Sequence, residues 1–114
     1  MKQEAFTMSL LLDYYGSLLT EKQKTYFDLY YNQDYSLSEI ASAAGISRQG
    51  VHDTLARAEE LLEGYERTLG CIARDRRLQK ELDTITQHAQ ALASVSEAAP
   101  QAGAILRAVR EIKE

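Results

Sequence analysis

The amino-acid sequence predicts an all-α protein organised around a helix-turn-helix. Two capped helical segments flank a single glycine turn between Ser36 and Leu62, and apolar residues three and four apart recur before and after that stretch. No run alternates apolar and polar residues as a half-buried strand would. With 114 residues the chain has room for one small domain, or for one domain and an appendage, and a hydrophobic fraction of 45% supplies a core of modest size.

From about Ala5 to Tyr15, the residues Phe6, Met8, Leu10, Leu11, Leu12, Tyr14 and Tyr15 make a helix too apolar to lie on a surface. It is expected to pack against the motif helices or against a second copy, and Gly16 ends it. Thr20 and Gln23 form a capping box for a helix reaching about Tyr31, with Tyr26, Phe27, Leu29, Tyr30 and Tyr31 as its apolar content. Asn32, Gln33 and Asp34 break the pattern, and Tyr35 stands where a hydrophobic staple would fix the entry to the next helix.

Ser36 and Glu39 form a second capping box, followed by Leu37, Ile40, Ala41 and Ala44 on one face. Gly45 permits the left-handed turn, Ile46 drops into the core, and Ser47 caps a second motif helix with the inward stripe Val51, Leu55, Ala58 and Leu62. Leu61, Tyr65 and Leu69 carry that helix on to a glycine stop at Gly70. A further helix is expected from Ile72, with Leu78, Leu82, Ile85, Ala89 and Leu92 on one side and Arg74, Arg76, Arg77 and Lys80 on the other. Ser94 to Gly103 is small, polar and holds the one proline, so it reads as a hinge before a short amphipathic helix from Ala104 to Lys113. The expected division is a helix-turn-helix domain over 1–70 and a helical extension over 71–114.

The pattern Ala41, Gly45, Ile46, Ser47, Arg48, Val51, Leu55, Arg57, Ala58 and Leu62 resembles region 4 of bacterial sigma factors, which reads the upstream promoter element. Within that class, LLDYYGSLLTEKQKTYFDLYY followed by SLSEIA and SRQGVHDTLARAEELLEGYE is similar to the YlxM family of small bacterial proteins, encoded beside the signal recognition particle GTPase. The likeness covers roughly the first two thirds of the chain, and its several parts make it more specific than a lone short motif. It implies a helix-turn-helix bundle of the sigma region 4 or winged-helix-like kind without a wing. It also implies DNA as a partner, a regulatory role in transcription, and a link to the signal recognition particle GTPase or its RNA.

Helix-turn-helix proteins set the start of the second helix in the major groove. There Arg48 suits guanine and Gln49 adenine, Ser47 and Arg57 suit phosphates, and His52 and Asp53 share the exposed arc. Lys22 and Lys24 stand where region-4-like modules grip a phosphate, and Ser36 and Ser38 join them as candidate phosphate contacts. The competing reading is a solvated helix face that serves protein contacts. Asp53 favours it, since a carboxylate repels phosphates except where it accepts from cytosine, and Gly50 weakens the helix.

Charge also favours it. The chain carries a formal −4, and Ser36 to Gly70 sets three arginines against six acidic residues. Phosphate neutralisation drives non-specific nucleic-acid affinity, so binding by this stretch alone should be weak and salt-sensitive. Asp75, Glu81 and Asp83 dilute the basic group Arg74, Arg76, Arg77 and Lys80, which reads as a solvated face.

Catalytic signals are missing: there is no phosphate-cradling glycine loop, two-histidine metal motif or serine elbow. Cys71 is the only cysteine, so no internal disulfide or thiolate zinc cluster forms, and His88 stands without ligand-spaced neighbours. The expectation is a non-catalytic protein with no cofactor and no metal. No apolar run of eighteen residues and no signal-like start occurs, so a cytoplasmic location is expected. The apolar first helix and the stripe from Tyr65 through Leu92 offer more apolar face than a three-helix core covers, which predicts a homodimer.

Overall fold

The computed structural model describes residues 4–114. Six α-helices follow one another: α1 Ala5–Tyr15, α2 Glu21–Tyr31, α3 Leu37–Ala44, α4 Arg48–Leu69, α5 Cys71–Ala93 and α6 Ala99–Lys113, with a 3-10 turn at Gly16–Leu18. Among the described residues there is no strand. The chain divides into two compact units, one ending at Ile72 and one spanning Ala73–Glu114.

Local chemistry sets the ends of the helices in the first unit. Both capping boxes form: Thr20 with Gln23 and Ser36 with Glu39 exchange side-chain and backbone hydrogen bonds of 3.0 to 3.1 Å. Gly45 (φ 71) closes α3 and Gly70 (φ 63) closes α4, both in the left-handed region where a Cβ is strained. At the end of α2 the amides of Asn32 and Gln33 each donate to the Asp28 carboxylate at 2.7 Å, which holds that carboxyl below its usual range. The chain then turns through Asp34 (φ 58), and the Tyr35 N–H donates to Leu29 O at 2.9 Å. The Tyr35 ring remains 37% exposed, so any staple it makes is a loose one.

The core gathers where α4 crosses the other helices. Phe27, Ile40, Val51, Leu55 and Leu62 are fully buried there. α1 packs on α2 and α4 and buries Met8, Leu11, Leu12 and Tyr15 inside its own unit. The apolar surplus expected on the first helix is therefore consumed by the core, and Phe6 is the large side chain of α1 that stays in water.

Two carboxylates of α4 point inward. The Tyr31 hydroxyl donates to buried Glu59. Glu66 Oε1 accepts from the Tyr15 hydroxyl at 2.5 Å and from the Ile72 N–H at 3.0 Å, while the Cys71 N–H donates to the Tyr15 oxygen at 3.1 Å. The first two amides of α5 are thus capped by side chains of α1 and α4. Burial, reinforced by the Glu66 carboxylate, raises the Tyr15 phenol above its ordinary value of 10.0. From about pH 10 upward the phenol ionises in the unfolded chain but stays protonated in the folded one, so stability falls as pH rises. Urea unfolding at rising alkaline pH is expected to show a shallower decline for Tyr15→Phe than for the wild type; equal declines would contradict this.

The second unit is a hairpin of α5 and α6. Leu82, Ala89, Ala102 and Val109 are buried within it, and Lys113 meets Asp83 at 3.2 Å. The connection is shorter than the expected hinge, because α6 starts at Ala99, five residues before Ala104, with Pro100 in its first turn. Proline lacks an N–H, but the first turn of a helix does not use that donor, so the residue that reads as a breaker begins the helix here. The apolar stripe on α5 is only partly buried: Leu82 and Ala89 are covered, while Leu78, Ile85 and Leu92 stay exposed.

Candidate nucleic-acid interface

The exposed start of α4 is built by the turn before it. Gly45 ends α3 in the left-handed conformation, Ile46 is half-buried, and the Ser47 hydroxyl accepts from the Gly50 N–H at 3.0 Å. That bond fixes the first turn of α4 and engages the Ser47 oxygen as a cap. Val51, Leu55 and Ala58 anchor the inner side, so Arg48, Gln49 and Asp53 project into water and His52 lies at the edge of the arc. The Thr54 hydroxyl donates to Gly50 O at 2.9 Å, which gives the carbonyl of this glycine a second bond within the helix.

Within the arc the side chains are engaged with one another. Gln49 Nε2 donates to Asp53 Oδ1 at 2.8 Å, and His52 Nδ1 lies 3.4 Å from the same oxygen. The Gln49 amide that would read an adenine edge is thus turned toward a carboxylate one helical turn away. Arg48 is exposed and has no ion pair among the described residues. Arg57 pairs with Glu60 at 3.6 Å, and both are well exposed, so the pair is loose.

The candidate residues fall in four places. Ser47, Arg48, Gln49, His52 and Asp53 share the first two turns of α4. Arg57 follows Arg48 by nine residues, which is roughly 13 Å along the axis and half a revolution round it. These two arginines therefore cannot address one base pair together. Lys22 and Lys24 sit at the start of α2, where Lys22 Nζ lies 5.9 Å from the centre of the Tyr26 ring, and both are exposed. Ser36 caps α3 and its hydroxyl accepts from the Glu39 N–H, while Ser38 is exposed in the first turn of that helix. Glu60, which shares the outer face with Arg57, is the residue the sequence reading passed over; its i, i+3 spacing from Arg57 was the available signal.

Among the described residues no three His, Cys, Asp or Glu side chains gather where a metal ion could be held, and no helix is long and apolar enough to cross a membrane. Cys71 is a free, half-buried thiol and His88 is exposed.

A glycine turn between two capped helices, with an exposed start to the second, defines a helix-turn-helix protein of all-α fold. The chain belongs to the UPF0122 family of helix-turn-helix proteins, YlxM / p13 like, whose sequence model matches residues 2–101. It is 49% identical over 85 residues to a UPF0122 protein of Thermoanaerobacter sp. (strain X514), covering 75% of this chain and 73% of that one. A UPF0122 protein of Symbiobacterium thermophilum is 46% identical over 101 residues, covering 89% and 92%. One from Listeria innocua is 44% identical over 85 residues, covering 75% and 77%.

Proposed function

We propose that this chain is a non-catalytic, nucleic-acid-binding regulator that acts in the cytoplasm as a homodimer and sets the start of α4 in a major groove. The observation that carries the reading is the first turn of α4, anchored from below by Val51 and Leu55 and offering Arg48 to solvent with no ion pair among the described residues. Arg48 takes the base-edge role, and Gln49 joins it once it leaves Asp53. His52 lines the edge of the groove, Asp53 accepts from cytosine, and Ser47, Arg57, Lys22, Lys24, Ser36 and Ser38 face phosphates. The few cations in that set leave the affinity weak and easily lost to added salt, with a salt slope of about one for each phosphate neutralised.

A gel-shift titration of the full chain on host genomic fragments over a range of salt tests this. Arg48→Ala is expected to weaken binding about tenfold, and Arg57→Ala to weaken it less while lowering the salt slope by about one. Indifference to both substitutions overturns the interface.

A second reading is favoured by charge. The stretch Ser36 to Gly70 sets six acidic residues against three arginines, and Gln49 is held by Asp53. In that reading the same face touches the signal recognition particle GTPase or its RNA, the partners implied by the gene neighbourhood of the YlxM family. Pull-down with those components, set beside enrichment of genomic DNA, separates the two.

A further inference from the structure

The α5–α6 hairpin leaves one of its two sides apolar. Leu82 and Ala89 on α5 are seven residues apart, as are Ala102 and Val109 on α6, and these buried rows face each other. Leu78, Ile85 and Leu92 form a second seven-residue row on α5, and Ile105 and Ile112 a second one on α6, all between 38% and 59% exposed. The second row in each helix lies three residues beyond the buried one, which is about 60° round the axis. The Asp83–Lys113 contact makes the helices antiparallel, so both exposed rows turn to the same side of the hairpin. The other side is different in kind: Thr86, Gln90, Leu106, Arg110 and Lys113 line a shallow groove there.

We propose that the apolar side docks onto the same side of a second copy of this chain, so that two hairpins form a four-helix bundle. This rests on the homodimer reading above and assigns it a surface. A two-fold interface must be complementary to itself, and a ridge of uncharged Leu and Ile meets its own image without burying a charge. The seven-residue spacing of both rows is the period at which helices interlock in such bundles. At about 80 Å² for each half-exposed Leu or Ile, the five side chains leave on the order of 400 Å² of apolar surface in water, within the size range of the apolar patches that serve as interaction sites. That is about half of the roughly 800 Å² per partner of a standard interface, the other half falling to the rim around the ridge. α1, whose apolar face is consumed by its own core, offers no comparable area.

Sedimentation equilibrium of the full chain at micromolar concentration tests the assignment. The wild type is expected at twice the chain mass, and Ile85→Glu with Ile105→Glu at the single-chain mass, its dissociation constant raised at least a hundredfold. Because both residues are exposed in the single chain, helical circular dichroism should not change. If that pair fails to fold, Leu78→Lys with Ile112→Lys makes the same test at the other end of the ridge. Phe6→Glu, a substitution at an exposed apolar residue of α1, should stay dimeric. A monomeric wild type overturns both the homodimer and this surface. A folded ridge variant that remains dimeric overturns the surface alone, and neither result bears on Arg48 and nucleic acid.

Discussion

Leu55→Ala is expected to lower the unfolding free energy by about 3 kcal/mol, read as a fall in urea midpoint with an unchanged slope. Leu55 is fully buried on α4, one turn from Val51 and two from Leu62, in the core to which α1, α2 and α3 all contribute. Truncation removes the transfer free energy of the side chain and leaves a cavity that rigid helices cannot collapse to fill. The loss is a large share of the 5–15 kcal/mol typical of a small domain. The same truncation at Leu69, which is 57% exposed, should cost well under 1 kcal/mol. Equal costs at the two positions would contradict the packing described.

Glu66→Ala is expected to cost about 2 kcal/mol, more than Tyr15→Phe. The carboxylate accepts from both the Tyr15 hydroxyl and the Ile72 N–H. Its removal leaves a nearly fully buried phenol without that acceptor and the first turn of α5 without one of its caps. Tyr15→Phe removes the donor together with its need, but also strips the Cys71 N–H of its acceptor. Denaturant midpoints for the two variants settle the order; a Glu66→Ala protein as stable as the wild type would show that the network contributes nothing.

What the sequence made visible was whatever depends on neighbours within a turn or two. Ser36 with Glu39, Thr20 with Gln23, and the left-handed Gly45 and Gly70 sit where the spacing put them, because caps and stops are local. Long-range pairing was invisible. Glu59 and Glu66 enter a charge count as surface negatives, yet they accept from tyrosines 28 and 51 residues earlier in the chain. Part of the acidity set against nucleic-acid binding is therefore directed inward. Pro100 misled for another reason: its effect depends on whether it falls in the first turn of a helix or inside one, and composition does not say which. At the candidate interface the residue types were legible from the turn. The Gln49–Asp53 bond could have been read from its i, i+4 spacing, whereas the half-revolution between Arg48 and Arg57 needed the helix phase to be drawn.

α4 is unbroken from Arg48 to Leu69, with no proline along it and a left-handed glycine outside each end. Its exposed start and the Tyr15–Glu66 network are therefore opposite ends of one stiff rod, roughly 27 Å apart. Mechanically it is a lever with the Leu55 and Leu62 packing as its fulcrum. Any tilt that a bound molecule imposes at Arg48 has to be borne at the far end by the phenol of Tyr15 and the amides of Cys71 and Ile72.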